Sequence, residues 1–186
     1  GAEAELLWLK TSYETEGASG KSAWEACALF LLFEAAGPGF EGDAAAIAQD
    51  LVSRDGRALS ATRFLADRAA TESGPAAAVT MLTKAQSENP SDVRTYLALS
   101  QYLATTDTTG VVLYDLAQAG RTLFPNRLEP YVHLARAAMA RQNWTEARVA
   151  LEQAADRWPL DDEILKLRAM IATATKDDEL AARVTQ

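Results

Sequence analysis

Apolar residues recur along most of the chain at steps of three and four, the period of an amphipathic helix, and short polar or glycine-containing breaks divide them. The pattern is clearest in LEPYVHLARAAMARQNWTEARVALEQAADRWPLD, residues 128–161. Tyr131, Leu134, Ala135 and Ala138 mark one helical stripe, and Arg141, Gln142 and Asn143 break it. Ala147, Leu151 and Ala154 mark a second stripe, and Pro159 stops it. Residues 59–92 follow the same plan: Leu65, Ala66 and Ala69 first, a Gly74-Pro75 turn, then Ala78, Leu82 and Ala85, with Pro90 at the end. Residues 93–127 repeat it with one extra residue. Tyr96, Leu99, Ser100 and Leu103 precede a Thr-Asp-Thr-Thr-Gly turn, Leu113 and Ala117 follow it, and Pro125 closes.

The flanks carry the pattern less cleanly. Residues 3–16 predict a helix with Leu6, Leu9 and Tyr13 on one face. Ser22-Ala23-Trp24-Glu25 has capping-box spacing and predicts a new helix start, with Trp24, Cys27, Ala28 and Leu31 packed. A glycine-rich loop through Gly37, Pro38, Gly39 and Gly42 leads to a helix over about Asp43–Arg54, with Ala44, Ala48 and Leu51 inward. From Asp162 the plan begins again with Leu165, Ala169 and Ala172, a turn at Lys176 to Asp178, and Ala181.

Pro90, Pro125 and Pro159 thus recur at intervals of 35 and 34 residues. Two short amphipathic helices in about 34 residues resemble the tetratricopeptide repeat. The resemblance covers roughly residues 21–186 and is strongest over 59–161. It implies an all-α, right-handed superhelical solenoid of about four antiparallel helix pairs plus an N-terminal helix, in one domain spanning 1–186. One such pair cannot bury its apolar stripe alone, and stacking about three or more buries a continuous core. In the family the first helix of each pair lines a concave, partner-binding face. Carried over, that face holds Arg63 and Asp67, Arg94 and Gln101, His133 and Arg136, and Lys166. A mildly basic strip of this kind suits an acidic peptide or a carboxylate. A solvated helix face without a ligand accounts for the same residues. The family's carboxylate clamp for chaperone tails fits poorly, because Asp67 and Glu129 stand where it needs neutral or positive donors.

Composition narrows the partners. A formal net charge of -8 disfavours nucleic acid and anionic lipid. The longest apolar run, Ala26 to Phe33, is too short for the ~20 residues of a membrane-spanning helix. Gly1 in place of methionine reads as a cleavage remnant and leaves room for an upstream targeting segment, so cytoplasm and periplasm are not separated. Cys27 has no second cysteine to pair with and reads as a packed thiol. Cys27 and the lone histidine, His133, build neither a zinc cluster nor a nucleophile pair. Asp161-Asp162-Glu163 and Asp177-Asp178-Glu179 suit helix starts. Gly17 to Ser22 is similar to a phosphate-binding loop, but Thr15 replaces its first glycine and no strand precedes it.

Leu29 and Leu32 would face the concave side, as a pocket for a partner helix or under the N-terminal helix. The expected function is therefore a non-catalytic protein-interaction scaffold without cofactor or metal. Alternatives are a regulatory or substrate-presenting segment of a larger enzyme or envelope assembly, and self-association.

Overall fold

A computed structural model describes residue 5 and residues 7–12, 22–37, 39–54 and 58–176. All its regular elements, among the described residues, are helices: α1 Ala23–Ala36, α2 Glu41–Arg54, α3 Leu59–Ser73, α4 Pro75–Glu88, α5 Val93–Thr106, α6 Val111–Leu123, α7 Glu129–Ala140, α8 Trp144–Ala155 and α9 Asp162–Thr175. Contacts group the chain into two compact units, Gly1–Pro90 and Ser91–Gln186.

In the first unit α1 packs on α2, α2 on α3, and α3 on α4. The Ser22 side chain accepts from the Glu25 N–H, and the Glu25 carboxylate accepts in turn from the Ser22 N–H, so the predicted capping box starts α1. Gly74 alone links α3 to α4, with Pro75 in the first turn. Ala44, Ala48, Leu51, Leu65, Ala66, Ala78, Leu82 and Ala85 are buried, as the apolar stripes predict. The core is joined by rings: Phe30 on α1 meets Phe64 on α3 edge to face at 5.3 Å, and Phe33 stacks on Phe40 at 5.5 Å. Residues 7–12 are helical, Leu9 packs against this core, and Lys10 pairs with Asp43 at 2.8 Å. Leu6 and Tyr13 lie outside the described residues.

The register of α1 differs from the expected one. Ala26, Leu29, Phe30 and Phe33 form its buried face, whereas Cys27 is exposed and Leu31 is 48% exposed. Cys27 is therefore not a packed thiol, and Leu29 is core while Leu32 stays open. The cause is the sequence AWEACALFLLFEAA itself. Apolar side chains surround the helix, so spacing selects no face, and the bulky phenylalanines win the interior.

In the second unit α6 packs on α5 and α7, α8 on α7, and α9 on α8. The first helices of successive pairs also touch directly, α5 on α7 and α7 on α9. Tyr96, Leu99, Ser100, Leu103, Leu113, Ala117, Tyr131, Leu134, Ala135, Ala138, Ala147, Leu151 and Ala154 are all buried in the predicted register. Asp92, Asn143 and Asp161 cap α5, α8 and α9 with their side chains. The second helix of the 128–161 repeat stops at Ala155, before Pro159. In α9 Ile164, Leu167, Ile171 and Ala172 are buried, so of the expected Leu165, Ala169 and Ala172 the last is core while Leu165 and Ala169 are half-buried; both stripes have helical spacing, and the bulkier Ile164, Leu167 and Ile171 pack. Lys176 turns into the left-handed region, and the rest of that predicted unit lies outside the described residues.

Candidate functional site

The candidate site is built from the first helix of each pair. In the second unit these helices bury one stripe and turn another outward. Arg94 and Gln101 on α5, Arg136 on α7 and Lys166 on α9 are exposed. The Arg94 guanidinium lies 3.2 Å from Asp92, the residue that caps its own helix. Burial pushes the Asp92 carboxyl up, but hydrogen bonds from the Arg94 side chain and backbone outweigh it and hold the carboxyl below its ordinary range. Arg136 reaches across to Glu163 on α9 and pairs with it.

His133 differs from these cations in being half-buried. Its Nδ1 lies 3.1 Å from the Tyr96 hydroxyl, and the two rings are 5.8 Å apart at 46°. Burial, reinforced by the Arg136 charge, lowers the imidazole to about 4, against the opposing pull of Glu129 and Glu163. At neutral pH the ring is neutral, and it works as a packing and hydrogen-bonding group between α5 and α7. Tyr96 is 1% exposed, and its hydroxyl is pushed up, by burial first and by the Glu129 charge second. Arg127 in turn clamps Glu129 at 2.6 Å, which holds that carboxyl down.

In the first unit Arg63 and Asp67 face one another on α3 at 3.7 Å, both well exposed. Asp67 also lines a cavity of 410 Å³ between α1, the start of α2, and α3. Phe33, Ala44 and Phe64 are its apolar lining residues, and Glu34, Glu41 and Glu72 line it together with Asp67. Arg68 lines it as well, donating to Glu72 at 2.6 Å and to the Glu41 carbonyl at 3.2 Å. Of the predicted residues, then, the structure joins Arg63 to Asp67 and sets His133 beside Arg136. Arg94 and Gln101 share α5, seven residues apart, and Lys166 sits on α9. Glu34, Glu41 and Glu72 beside the predicted Asp67, and the Tyr96–His133 bond, are additions to the sequence reading. Tyr96 was legible only as a large packing residue, since its partner lies 37 positions away.

Among the described residues, no three His, Cys, Asp or Glu side chains are placed to share a metal ion. No helix among them is long and apolar enough to cross a membrane.

No family model matches the chain. No curated protein matches it in sequence. Several solved structures do match it in three dimensions. One, described as a MamA RS-1 ArsTM double mutant, superposes with a TM-score of 0.67 at 14% identity, over 86% of this chain and 90% of that one. A crystal structure of MamA gives 0.63 at 14% identity, over 85% and 89%. A second MamA crystal structure gives 0.57 at 14%, over 84% and 91%. Identity this low speaks for the fold alone, and that fold is an all-α, tetratricopeptide-like helical repeat.

Proposed function

We propose that the chain is a non-catalytic protein-interaction module, and that the first-helix face of its Ser91–Gln186 unit holds an acidic peptide or partner helix. The observation that carries this reading is the exposure of Arg94, Gln101, Arg136 and Lys166 on first helices whose other residues build the core. The arginines already face Asp92 and Glu163. Both guanidiniums are exposed and pairs open to solvent contribute only about 0–1 kcal/mol each, so a ligand carboxylate can compete with the internal partner, and Asp92 keeps its backbone hydrogen bonds at the start of α5. His133, neutral and bonded to Tyr96, would offer shape rather than charge. The formal net charge of -8 disfavours nucleic acid as the alternative ligand.

The test is capture of partners from the source organism's lysate by wild type and by the Arg94→Glu/Arg136→Glu double variant, read by mass spectrometry. Reversal of both charges is expected to weaken a bound partner about tenfold or more. Both positions are exposed, so the circular dichroism spectrum and the melting curve stay close to those of wild type. A partner kept equally by both proteins would move the interface off this face.

A further inference from the structure

His133 and Arg136 stand three residues apart on α7, a spacing that makes them neighbours on one side of the helix. We propose that the acidic-ligand face of the Ser91–Gln186 unit is proton-linked: the Tyr96 hydroxyl holds His133 neutral until a ligand anion on Arg136 draws a proton onto the ring. The proposal rests on the reading of that face given above and adds its regulation.

The geometry starts at the ring. His133 Nδ1 lies 3.1 Å from the Tyr96 hydroxyl, which has no other hydrogen-bond partner among the described residues. Tyr96 is 1% exposed and stays protonated, so its hydroxyl donates and Nδ1 accepts. A proton arriving on Nδ1 would reverse that bond and leave the buried hydroxyl hydrogen without an acceptor. Hydrogen bonding therefore opposes the imidazolium, as burial does.

Three charges act on the ring, Arg136 and Glu129 from α7 and Glu163 from α9; no charge of α5, α6 or α8 does, among the described residues. Arg127 already clamps Glu129, and Glu163 pairs with Arg136. Of the three, Arg136 alone opposes the proton, and it is the exposed one that a ligand anion would meet. An anion settling on Arg136 offsets that opposition. Where it also displaces Glu163, the released carboxylate pulls further toward the imidazolium. Both changes raise the ring's affinity for a proton. By reciprocity the proton strengthens anion binding by the same factor. His133 is half-buried, so solvent can deliver the proton.

His133 is the sole histidine, so its imidazole signal in a proton NMR spectrum is unambiguous. The probe is a glycine-serine peptide with three cysteic acids, whose sulfonates keep their charge throughout. The full chain is titrated from pH 7.5 to 4.5, free and saturated with the probe. The midpoint of the ring's titration is expected to rise by about one pH unit on binding. Correspondingly, wild type is expected to bind the probe about twofold more tightly at pH 5 than at pH 7, over and above any change shown by His133→Asn. The NMR titration uses the unaltered protein, so it decides the matter even if His133→Asn folds poorly. Tyr96→Phe removes the donor and keeps the ring, and it is expected to raise the midpoint of the free protein.

The proposal falls if the ring titrates alike with and without bound probe, or if His133→Asn binds with the same pH dependence as wild type. It falls too if Tyr96→Phe leaves the free midpoint in place, because the hydroxyl would then not be what keeps the ring neutral. A probe that wild type does not bind, or that Arg94→Glu/Arg136→Glu binds as tightly, removes the ligand from this face and the linkage with it. A probe lost in that double variant, over a ring that does not move, keeps the face and removes the linkage alone.

Discussion

Phe64 and His133 hold the same place in their repeats, each five residues after its repeat begins, and the surroundings of the two differ. Phe64 meets Phe30 edge to face, and it also lines a cleft between α1 and α3 together with four carboxylates. His133 meets Tyr96 through a hydrogen bond, and α5 packs directly on α7 around it. Asp67, Gln101 and Arg136 also share one place in the repeat, and there the charge runs from negative through neutral to positive. Conserving the packing stripe while varying its neighbours thus yields two faces of different shape and sign. The lesson is that the repeat specifies where side chains stand, and the residue types at two or three outward places specify what the face can hold.

The largest break in this comparison comes from emptying the filled space. Tyr96 is among the largest fully buried side chains, flanked by Phe124 at 5.5 Å and by His133. Tyr96→Ala removes the ring and leaves a half-buried imidazole without its partner. A loss of about 3–5 kcal/mol is expected, read by urea unfolding. A loss under about 1 kcal/mol would show that α5 and α7 hold together without the tyrosine.

A second effect, somewhat smaller, is the pH dependence that His133 brings. The folded state holds His133 at about 4, below its ordinary value of 6.5. Its protonation is therefore easier in the unfolded chain. Stability from this group is complete above pH 6.5, falls as the pH drops from 6.5 toward 4, and levels off below. The full change is on the order of 3 kcal/mol. Asp92 and Asp107 titrate below 3.8 in the folded state and Glu129 below 4.5, so most of the window belongs to the histidine. His133→Asn should flatten the slope of unfolding free energy between pH 6.5 and 4.5; an unchanged slope would assign it elsewhere.

Legibility in the sequence followed amphipathicity. In α3 to α8 the charged and apolar residues separate cleanly along each helix, and Leu65, Leu82, Tyr96, Leu99, Leu134 and Leu151 were all placed inward correctly. In α1 apolar residues occupy every side, and in α9 two adjacent stripes compete, so periodicity could not choose between them. The outward residues were legible as positions but not as partners. Arg136 pairs with Glu163, 27 residues on, and no linear pattern announces it. The cleft was illegible for the same reason: its lining residues come from three helices, between positions 33 and 72.

The smallest effect sharpens the comparison by adding one methyl group to each unit. Gly120, inside α6, lies against the Tyr96 ring, and a Cβ there would sit 2.5 Å from Cε2 and 2.8 Å from Cζ. The ring cannot swing aside, because Phe124 and His133 flank it. Gly120→Ala is therefore expected to cost about 1–3 kcal/mol through overpacking, even though alanine is the better helix former. Gly42, near the start of α2, has nothing within 4 Å of an added Cβ. Gly42→Ala is expected to stabilise by up to about 1 kcal/mol, through the narrower unfolded ensemble alone. Paired melting curves of the two variants check the sign of each. A stabilising Gly120→Ala would mean that the space around Tyr96 yields as freely as the open cleft does, and the contrast between the filled and the empty site would no longer rest on packing.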